Sequence, residues 1–125
     1  MKKILLLDDN LEVVVLYRNL LSRMGYEVKT FTQGQQALNT LAYEAFDLII
    51  TDLKMPGMGG LEFIENIRET EISSKILVIT AFPTMADARA FAKLRVNGYL
   101  TKPVSVEDLE RTVRSLVPVE DPAPQ

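Results

Sequence analysis

The sequence contains neither cysteine nor histidine. Without cysteine the chain has no disulfide, no thiolate nucleophile and no zinc-thiolate site, and without histidine it lacks the commonest general base and transition-metal ligand. The net charge is only −3, so there is no electrostatic reason to expect direct nucleic-acid binding, which normally requires a basic surface. No apolar run is long enough to span a bilayer or to form a signal peptide. We therefore expect no membrane association and a cytoplasmic location.

The length and composition are those of one globular domain. A chain of 125 residues, 47% of them hydrophobic and 25% charged, is long enough to bury a substantial core. Only the last eight residues, with the sequence PVEDPAPQ, have the composition of a disordered linker. We expect a folded domain over residues 1–117, and a disordered tail or the start of a linker over residues 118–125.

Short apolar runs alternate with helical patterns along the chain. Three runs are continuous and branched, as expected of strands covered on both faces, and they span residues 4–7, 48–50 and 76–79. Two further runs are mixed with polar residues, as edge strands tend to be, and they span residues 28–31 and 98–101. The candidate helices span residues 11–24, 35–42, 61–69, 85–94 and 106–116.

Strict alternation of five strands and five helices indicates an open parallel sheet with helices on both faces. Because the second and fifth strands have the composition of edge strands, the strand order 2-1-3-4-5 fits better than a sequential order. The predicted fold class is therefore α/β: a flavodoxin-like, doubly wound five-stranded parallel sheet with five helices on two faces. Two of the helices also have start signals, because Thr84 and Ser105 each precede an aspartate by three residues.

Polar side chains follow four of the five predicted strands. They are Asp8 and Asp9 after the first strand, Asp52 after the third, Thr80 after the fourth and Lys102 after the fifth. In open parallel sheets, ligands bind beyond the carboxyl ends of the strands where the strand order reverses, which here lies between the first and third strands. Each residue alone is equally well explained as a helix cap, a turn residue or a surface charge. Independent caps and surface charges, however, have no reason to fall together at these strand ends.

The combination of residues indicates a particular chemistry. Three clustered carboxylates repel one another unless a cation neutralises them, and an oxygen-only site of this kind suits Mg²⁺. A lysine and a threonine hydroxyl supply donors for an anionic group beside the metal, and a phosphoryl group meets that need. Asp52 is then the natural nucleophile, because carboxylates form aspartyl-phosphate intermediates and a carboxylate already ionised at pH 7 needs no general base.

Four motifs link the sequence to a known family: LLLDDN, DLKMPGMGG, VITA and YLTKPV. On these motifs the chain resembles, from Lys2 to about Leu116, the receiver domain of bacterial two-component response regulators. The resemblance implies that Asp52 accepts a phosphoryl group from the phosphohistidine of a histidine kinase or of a phosphotransfer protein. It also implies a signalling domain rather than an enzyme, one that catalyses only its own phosphorylation and dephosphorylation.

The same resemblance implies which residues bind the metal. Asp8 and Asp9 correspond to the metal-binding acids, Asp52 adds a third carboxylate, and the backbone carbonyl of Lys54 is a further ligand of Mg²⁺. Asn10 stands where a third acid is frequent in the family, and this substitution leaves the metal-binding carboxylates intact.

The resemblance further implies how phosphorylation is read out. Lys102 contacts the phosphoryl oxygens, and the Lys102–Pro103 peptide bond is expected to be cis. Thr80 moves towards the phosphoryl group, and the ring of Tyr99 swings inward into the vacated space. This change is expected to remodel the surface formed by the fourth helix, the fifth strand and the fifth helix.

The expected partners follow from that surface. We expect this surface to bind either a second copy of the chain, which would give a homodimer, or an effector domain beyond residue 125. DNA binding cannot be assigned to the residues of this chain. Arg95 and Val96 lie on the same surface, where the family usually has Gly-Ala, so we expect the choice of partner to differ from that of other members.

Three other functions are compatible with parts of this pattern. A flavodoxin-like flavin or nucleotide binder would share the fold, but its phosphate-binding loop after the first strand is rich in glycine and hydroxyl residues, whereas the acidic sequence DDNLE would repel phosphate. A haloacid-dehalogenase-type phosphatase also uses a strand-end aspartate, but it carries a second acid two residues later, where this chain has Lys54. A scaffold domain without phosphorylation leaves the acidic cluster unexplained.

Overall fold

A computed structural model of the protein describes residues 1–81 and 83–119. The chain alternates strictly between strands and helices: β1 (Lys3–Leu7), α1 (Leu11–Arg23), β2 (Glu27–Phe31), α2 (Gly34–Leu41), β3 (Leu48–Thr51), α3 (Gly60–Arg68), β4 (Lys75–Thr80), α4 (Met85–Lys93), β5 (Gly98–Thr101) and α5 (Val106–Leu116). The alternation predicted from the sequence is therefore confirmed, and the predicted boundaries lie within one residue of the observed ones.

The five strands form one parallel sheet in the order β2-β1-β3-β4-β5, which confirms the predicted topology. Side chains alternate between the two faces of each strand. On β1, Ile4 and Leu6 pack with buried residues of α1 and α5, whereas Leu5 and Leu7 pack with buried residues of α2, α3 and α4. Since both faces are covered by helices, the central strands can be apolar throughout, as the sequence of β1, β3 and β4 required.

The two outer strands are less buried than the central ones. No residue of β2 or β5 is fully buried, whereas every residue of β3 is. The mixed composition of residues 28–31 and 98–101 therefore did indicate edge strands.

Side chains cap three of the helices at their first turns. The Thr84 hydroxyl accepts a hydrogen bond from the Asp87 backbone N–H at 3.0 Å, and the Asp87 carboxylate accepts one from the Thr84 N–H at 2.8 Å, which forms a complete capping box. The Ser105 hydroxyl caps α5 by accepting from the Asp108 N–H at 3.0 Å. These contacts confirm the two start signals, and Asn10 caps α1 in the same way.

The end of α5 and the residues that follow it contact the rest of the domain. The Lys75 ammonium donates to the Leu116 carbonyl at 2.7 Å, and the Tyr26 hydroxyl donates to the Val117 carbonyl at 2.6 Å. Val119 is partly buried against the core. Residues 120–125, which make up most of the predicted tail, lie outside the described residues. No helix in the described part of the chain has the length and apolar character needed to cross a bilayer.

Candidate functional site

The parallel register brings the polar residues together at the carboxyl end of the sheet. Leu7 of β1 pairs with Thr51 of β3, and the Asp52 N–H continues this pairing by donating to the Leu7 carbonyl at 3.2 Å. Asp8 and Asp52 each follow the last residue of neighbouring central strands, so they are held side by side. On the other side of β3, the Lys102 N–H donates to the Thr80 carbonyl at 2.9 Å and so extends the pairing of β4 with β5.

Three aspartates form a compact acidic cluster. Asp8, Asp9 and Asp52 each offer a carboxylate oxygen, and these oxygens lie within 4.8 Å of one another. Asp8 is 3% exposed and Asp52 is 8% exposed, whereas Asp9 is on the surface. The cluster is thus buried on one side and open to solvent on the other. Carboxylates at this spacing fit a hard divalent cation, which prefers oxygen ligands and cancels their mutual repulsion.

Lys102 joins the two buried aspartates. Its ammonium nitrogen Nζ lies 2.9 Å from Oδ2 of Asp8 and 2.9 Å from Oδ2 of Asp52. Burial lowers the pKa of Lys102, but the hydrogen bonds and the charges of the two carboxylates outweigh this effect, so the pKa is raised above 10.5. Lys102 therefore carries a full positive charge between the two carboxylates.

Asp8 is in a less favourable environment for its charge than Lys102. Burial raises the pKa of Asp8 above its ordinary value of 3.8, and the negative charge of Asp52 adds to the rise. The hydrogen bonds from Lys102 and from the Asn10 N–H act in the opposite direction but do not cancel the effect of burial. The ionised form of Asp8 thus costs free energy in the folded protein, and a bound cation would reduce that cost.

Backbone N–H groups fix the orientation of Asp52. Its oxygen Oδ1 accepts hydrogen bonds from the Leu53 N–H at 2.6 Å and from the Lys54 N–H at 3.3 Å. Its other oxygen, Oδ2, contacts Lys102. Since both oxygens have partners, the carboxylate is held in one orientation at the mouth of the site.

The loop after β3 depends on Gly60, the second of the paired glycines that end the motif DLKMPGMGG. A Cβ atom at Gly60 would collide with the Asp52 carbonyl oxygen and lie 2.6 Å from the Leu53 Cα. The Gly60 N–H also donates to the Leu53 carbonyl at 2.9 Å. The first residue of α3 therefore packs directly on the backbone of Asp52, which only glycine permits. In the sequence, the Gly59-Gly60 pair is the feature from which this close contact could have been predicted.

Thr80 is the polar residue of the site that is least satisfied. It is fully buried at the end of β4, and within residues 1–81 and 83–119 its hydroxyl oxygen is the only buried side-chain polar atom without a hydrogen-bond partner. An unpaired buried hydroxyl costs about 1–3 kcal/mol. A group that needs a hydrogen-bond donor at this position would therefore be stabilised.

The remaining residues predicted for the site lie around it. Tyr99 is 53% exposed, so its ring faces outward, and its centroid lies 5.5 Å from that of Phe91 on α4. Lys54 is exposed and its N–H contacts Asp52; the role of its carbonyl as a ligand stays a prediction. The Lys102–Pro103 peptide bond is cis.

Comparisons with known proteins agree with this arrangement. A sequence model described as the response regulator receiver domain matches residues 4–114. The chain is 33% identical over 93% of its length to the alkaline phosphatase synthesis transcriptional regulatory protein PhoP of Bacillus subtilis, of which it covers 48%. It is 35% identical over 98% of its length to the sensor protein GacS of Pseudomonas syringae pv. syringae, of which it covers 14%. The chain thus spans about half or less of these two curated relatives.

Solved structures show the same fold over their whole length. The chemotaxis protein CheY4 of Vibrio cholerae is 30% identical, with a TM-score of 0.88 over 94% of this chain and 99% of that one. The response regulator TrrA of Thermotoga maritima, solved in complex with Mg²⁺ and BeF, is 31% identical, with a TM-score of 0.83 over 94% of this chain and 100% of that one. These findings do not favour a flavodoxin-like binder or a scaffold. The chain belongs to the response regulator receiver domain family, the signalling domains of two-component systems.

Proposed function

We propose that Asp52 is the phosphoacceptor of this receiver domain and that the phosphoryl group comes from the phosphohistidine of a histidine kinase or of a phosphotransfer protein. The observation that carries the proposal is the position of Lys102, whose ammonium lies 2.9 Å from carboxylate oxygens of both Asp8 and Asp52. Two relatives support this proposal. The chain matches 13% of the length of a sensor histidine kinase, GacS of Pseudomonas protegens, so a similar domain is joined there to a kinase. It matches 96% of the length of sporulation initiation phosphotransferase F of Bacillus subtilis, whose name indicates phosphoryl transfer.

The acidic cluster would hold Mg²⁺ through the carboxylates of Asp8, Asp9 and Asp52 and through the Lys54 carbonyl. When bound, the metal would neutralise the charge that builds up on the carboxylates and the incoming phosphoryl oxygens. The all-oxygen donor set within 4.8 Å fits this ion. The crystal structure of TrrA, a similar protein, contains Mg²⁺ together with BeF, and we infer the same class of site here.

The protein's own residues then carry out the transfer. An oxygen of Asp52 attacks the phosphorus atom, the bond from phosphorus to the donor's imidazole nitrogen breaks, and its electron pair stays on the imidazole. Lys102 exchanges its contact with Asp52 for one with a phosphoryl oxygen. Because no group must be deprotonated first, the absence of histidine is no obstacle. Attack by water on the same phosphorus atom would break its bond to the Asp52 oxygen, release inorganic phosphate and restore the Asp52 carboxylate of the resting state.

The phosphoryl group would be read out through Thr80 and Tyr99. The Thr80 hydroxyl, which has no partner in the described part of the chain, would donate to a phosphoryl oxygen. Its movement would vacate space for the Tyr99 ring to turn inward, and the surface formed by α4, β5 and α5 would change shape. That surface would then serve homodimerisation or docking of an effector.

The organisation of the whole protein is also a proposal. The receiver domain comprises residues 1–117, and residues 118–125 begin a tail or a linker. Relatives such as PhoP extend well beyond the matched region and are named as transcriptional regulators, which supports an effector domain after residue 125. A cytoplasmic location, without direct nucleic-acid binding by this domain, stays a prediction.

We expect acetyl phosphate with Mg²⁺ to add one phosphoryl group to the protein, at Asp52. Intact-mass spectrometry would detect the group, and chelation of Mg²⁺ with EDTA should abolish the reaction because the carboxylates would then repel the donor. Asp52→Asn should show no uptake on the same timescale, whereas Asp47→Asn, which lies at the opposite end of the sheet before β3, should react normally. Uptake by Asp52→Asn at the rate of the native protein would assign the nucleophile elsewhere.

Asp9 and Lys102 should have separable roles. Mg²⁺ at about 100 times its dissociation constant should add about 2.7 kcal/mol to the free energy of unfolding, and Asp9→Asn should lose most of this gain. Lys102→Ala should bind Mg²⁺ equally well or better, because a neighbouring cation is removed. The same variant should fail to change conformation with beryllofluoride. Denaturant unfolding and NMR spectra of both variants would separate these effects, and a Lys102→Ala protein that responds normally to beryllofluoride would contradict the assigned role.

Activation should be visible far from Asp52. We expect beryllofluoride and Mg²⁺ to shift the amide NMR signals of residues 84 to 104, because Thr80 and Tyr99 transmit the change to α4 and β5. Thr80→Val, which keeps the shape but removes the hydroxyl, should bind beryllofluoride and yet leave these distant signals close to their resting positions. Shifts confined to the loops around Asp52 in the native protein would rule out this readout.

The cost of ionising Asp8 should appear as a pH dependence of stability. Its raised pKa means that its contribution to stability is fully present below pH 3.8 and is lost as the pH rises through the folded-state value. In EDTA, Asp8→Asn should therefore unfold at higher denaturant concentration than the native protein at pH 7, and the difference should shrink towards pH 3.5. Glu65→Gln, an exposed residue on α3, controls for the loss of one negative charge. Equal stability of native protein and Asp8→Asn at pH 7 would contradict the prediction.

A further inference from the structure

A second polar site lies at the amino end of the sheet, opposite the acidic cluster. It is an open hollow of about 510 Å³ where α3 ends, β4 begins and the chain approaches β5. Its charged lining residues are Arg68, Glu71, Lys75 and Arg95. The Lys75 ammonium is directed to the Leu116 carbonyl, so Arg68, Arg95 and Glu71 leave a net charge of +1 in the hollow, although the protein as a whole is acidic. The hollow is therefore a positive site on a negative protein.

The guanidinium of Arg68 is held in place but not neutralised. It donates to three backbone carbonyls, from Nε to Leu94 at 2.9 Å, from Nη1 to Ser74 at 3.2 Å and from Nη2 to Arg95 at 3.1 Å. A guanidinium has five N–H groups, so two remain available. Carbonyls carry no net charge, and none of the ion pairs in the described part of the chain includes Arg68. Among the residues that the structure describes, none therefore forms an ion pair with the Arg68 guanidinium.

Arg95 occupies a backbone conformation that favours glycine. Its φ angle is 57°, in the left-handed region where a side chain causes strain. It ends α4 in a Schellman motif. The Arg95 N–H donates to the Ala92 carbonyl at 3.3 Å, and the Val96 N–H donates to the Phe91 carbonyl at 2.9 Å. Glycine would end the helix without backbone strain, so the presence of arginine at this position indicates a function for its side chain.

Arg68 and Arg95 line the same hollow, so their positive charges act on each other. The pKa of Arg68 is lowered, first by burial and then by the positive charge of Arg95. Asn97 lies in the same hollow, and its side-chain oxygen accepts from the Ile76 N–H at 2.8 Å. That bond leaves the amide NH₂ of Asn97 as a further donor. Two cations that repel each other, with an unused donor beside them, favour the binding of an anion.

We propose that this hollow binds a phosphate group between the guanidiniums of Arg68 and Arg95. The planar fork of arginine matches phosphate oxygens, and a phosphate monoester carries close to two negative charges at neutral pH, opposite in sign to the charges of the two arginines. The site is distinct from Asp52, because it lies at the other end of the sheet and contains none of the acidic cluster. Its ligand is either free inorganic phosphate or the phosphate of a small molecule such as a nucleoside monophosphate.

NMR titration of the full chain tests the proposal. Sodium phosphate or adenosine monophosphate would be added in EDTA, with sodium chloride adjusted to keep the ionic strength constant. We expect amide shifts at Ser73, Arg95 and Asn97, with the signals of Asp8 and Asp52 unchanged. Tighter binding of adenosine monophosphate would show that the hollow also contacts the rest of the molecule, and equal binding would show that phosphate alone is recognised. Shifts centred on the acidic cluster would overturn the proposal.

A pair of variants separates a built site from diffuse attraction. Arg95→Gly removes one guanidinium and relieves the backbone strain, so the variant should fold at least as stably as the native protein, while its affinity for phosphate falls by about tenfold or more. Arg89→Ala removes an exposed cation from α4 outside the hollow, and its affinity should stay within about twofold. Unchanged affinity of Arg95→Gly, or equal losses in the two variants, would contradict the proposal. Acetyl phosphate uptake at Asp52 is measured separately, so failure of either proposal leaves the other intact.

Discussion

The contact of one lysine with two buried aspartates is the interaction on which the site depends. Asp8 and Asp52 are side by side because β1 and β3 are neighbours in a parallel sheet, and both are almost fully buried. Two ionised carboxylates in this position would repel each other and lose their hydration. The ammonium of Lys102, 2.9 Å from each, offsets part of this cost. The raised pKa of Asp8 shows that the compensation is incomplete, so the fold holds the site ready for additional positive charge.

The same site contains a buried hydroxyl group whose proton has no hydrogen-bond acceptor among the described residues. This hydroxyl belongs to Thr80, at the end of β4. The neighbouring helix α4 is weakly packed, because Phe91 is its only buried residue. A weakly packed element next to an unsatisfied polar group is suited to having two arrangements of similar free energy. A phosphoryl group at Asp52 would favour the arrangement in which Thr80 is satisfied, and it would do so with a contact that the resting state cannot make.

The sequence was sufficient to predict the elements because local patterns and burial agree. The apolar runs of β1, β3 and β4 are buried on both faces, and the caps at Thr84 and Ser105 form as their spacing suggested. The convergence of the aspartates followed from strand order alone. Contacts that depend on three-dimensional packing could not be read in this way. Arg68 donates to a carbonyl 27 residues away, and the close approach of Gly60 to the Asp52 carbonyl depends on how α3 meets β3.

The two ends of α4 are held very differently, and this difference limits how the helix can move. At its carboxyl end, Arg68 donates to the Leu94 and Arg95 carbonyls, and Phe91 is buried in the core. At its amino end, the capping box at Thr84 lies at the surface, and Met85 is 78% exposed. Little apolar area would be lost if the amino end shifted, whereas movement of the carboxyl end would break several hydrogen bonds. A change that began at Thr80 would therefore displace the amino end of α4 at a lower cost in free energy than its carboxyl end, where the hydrogen bonds from Arg68 would have to break.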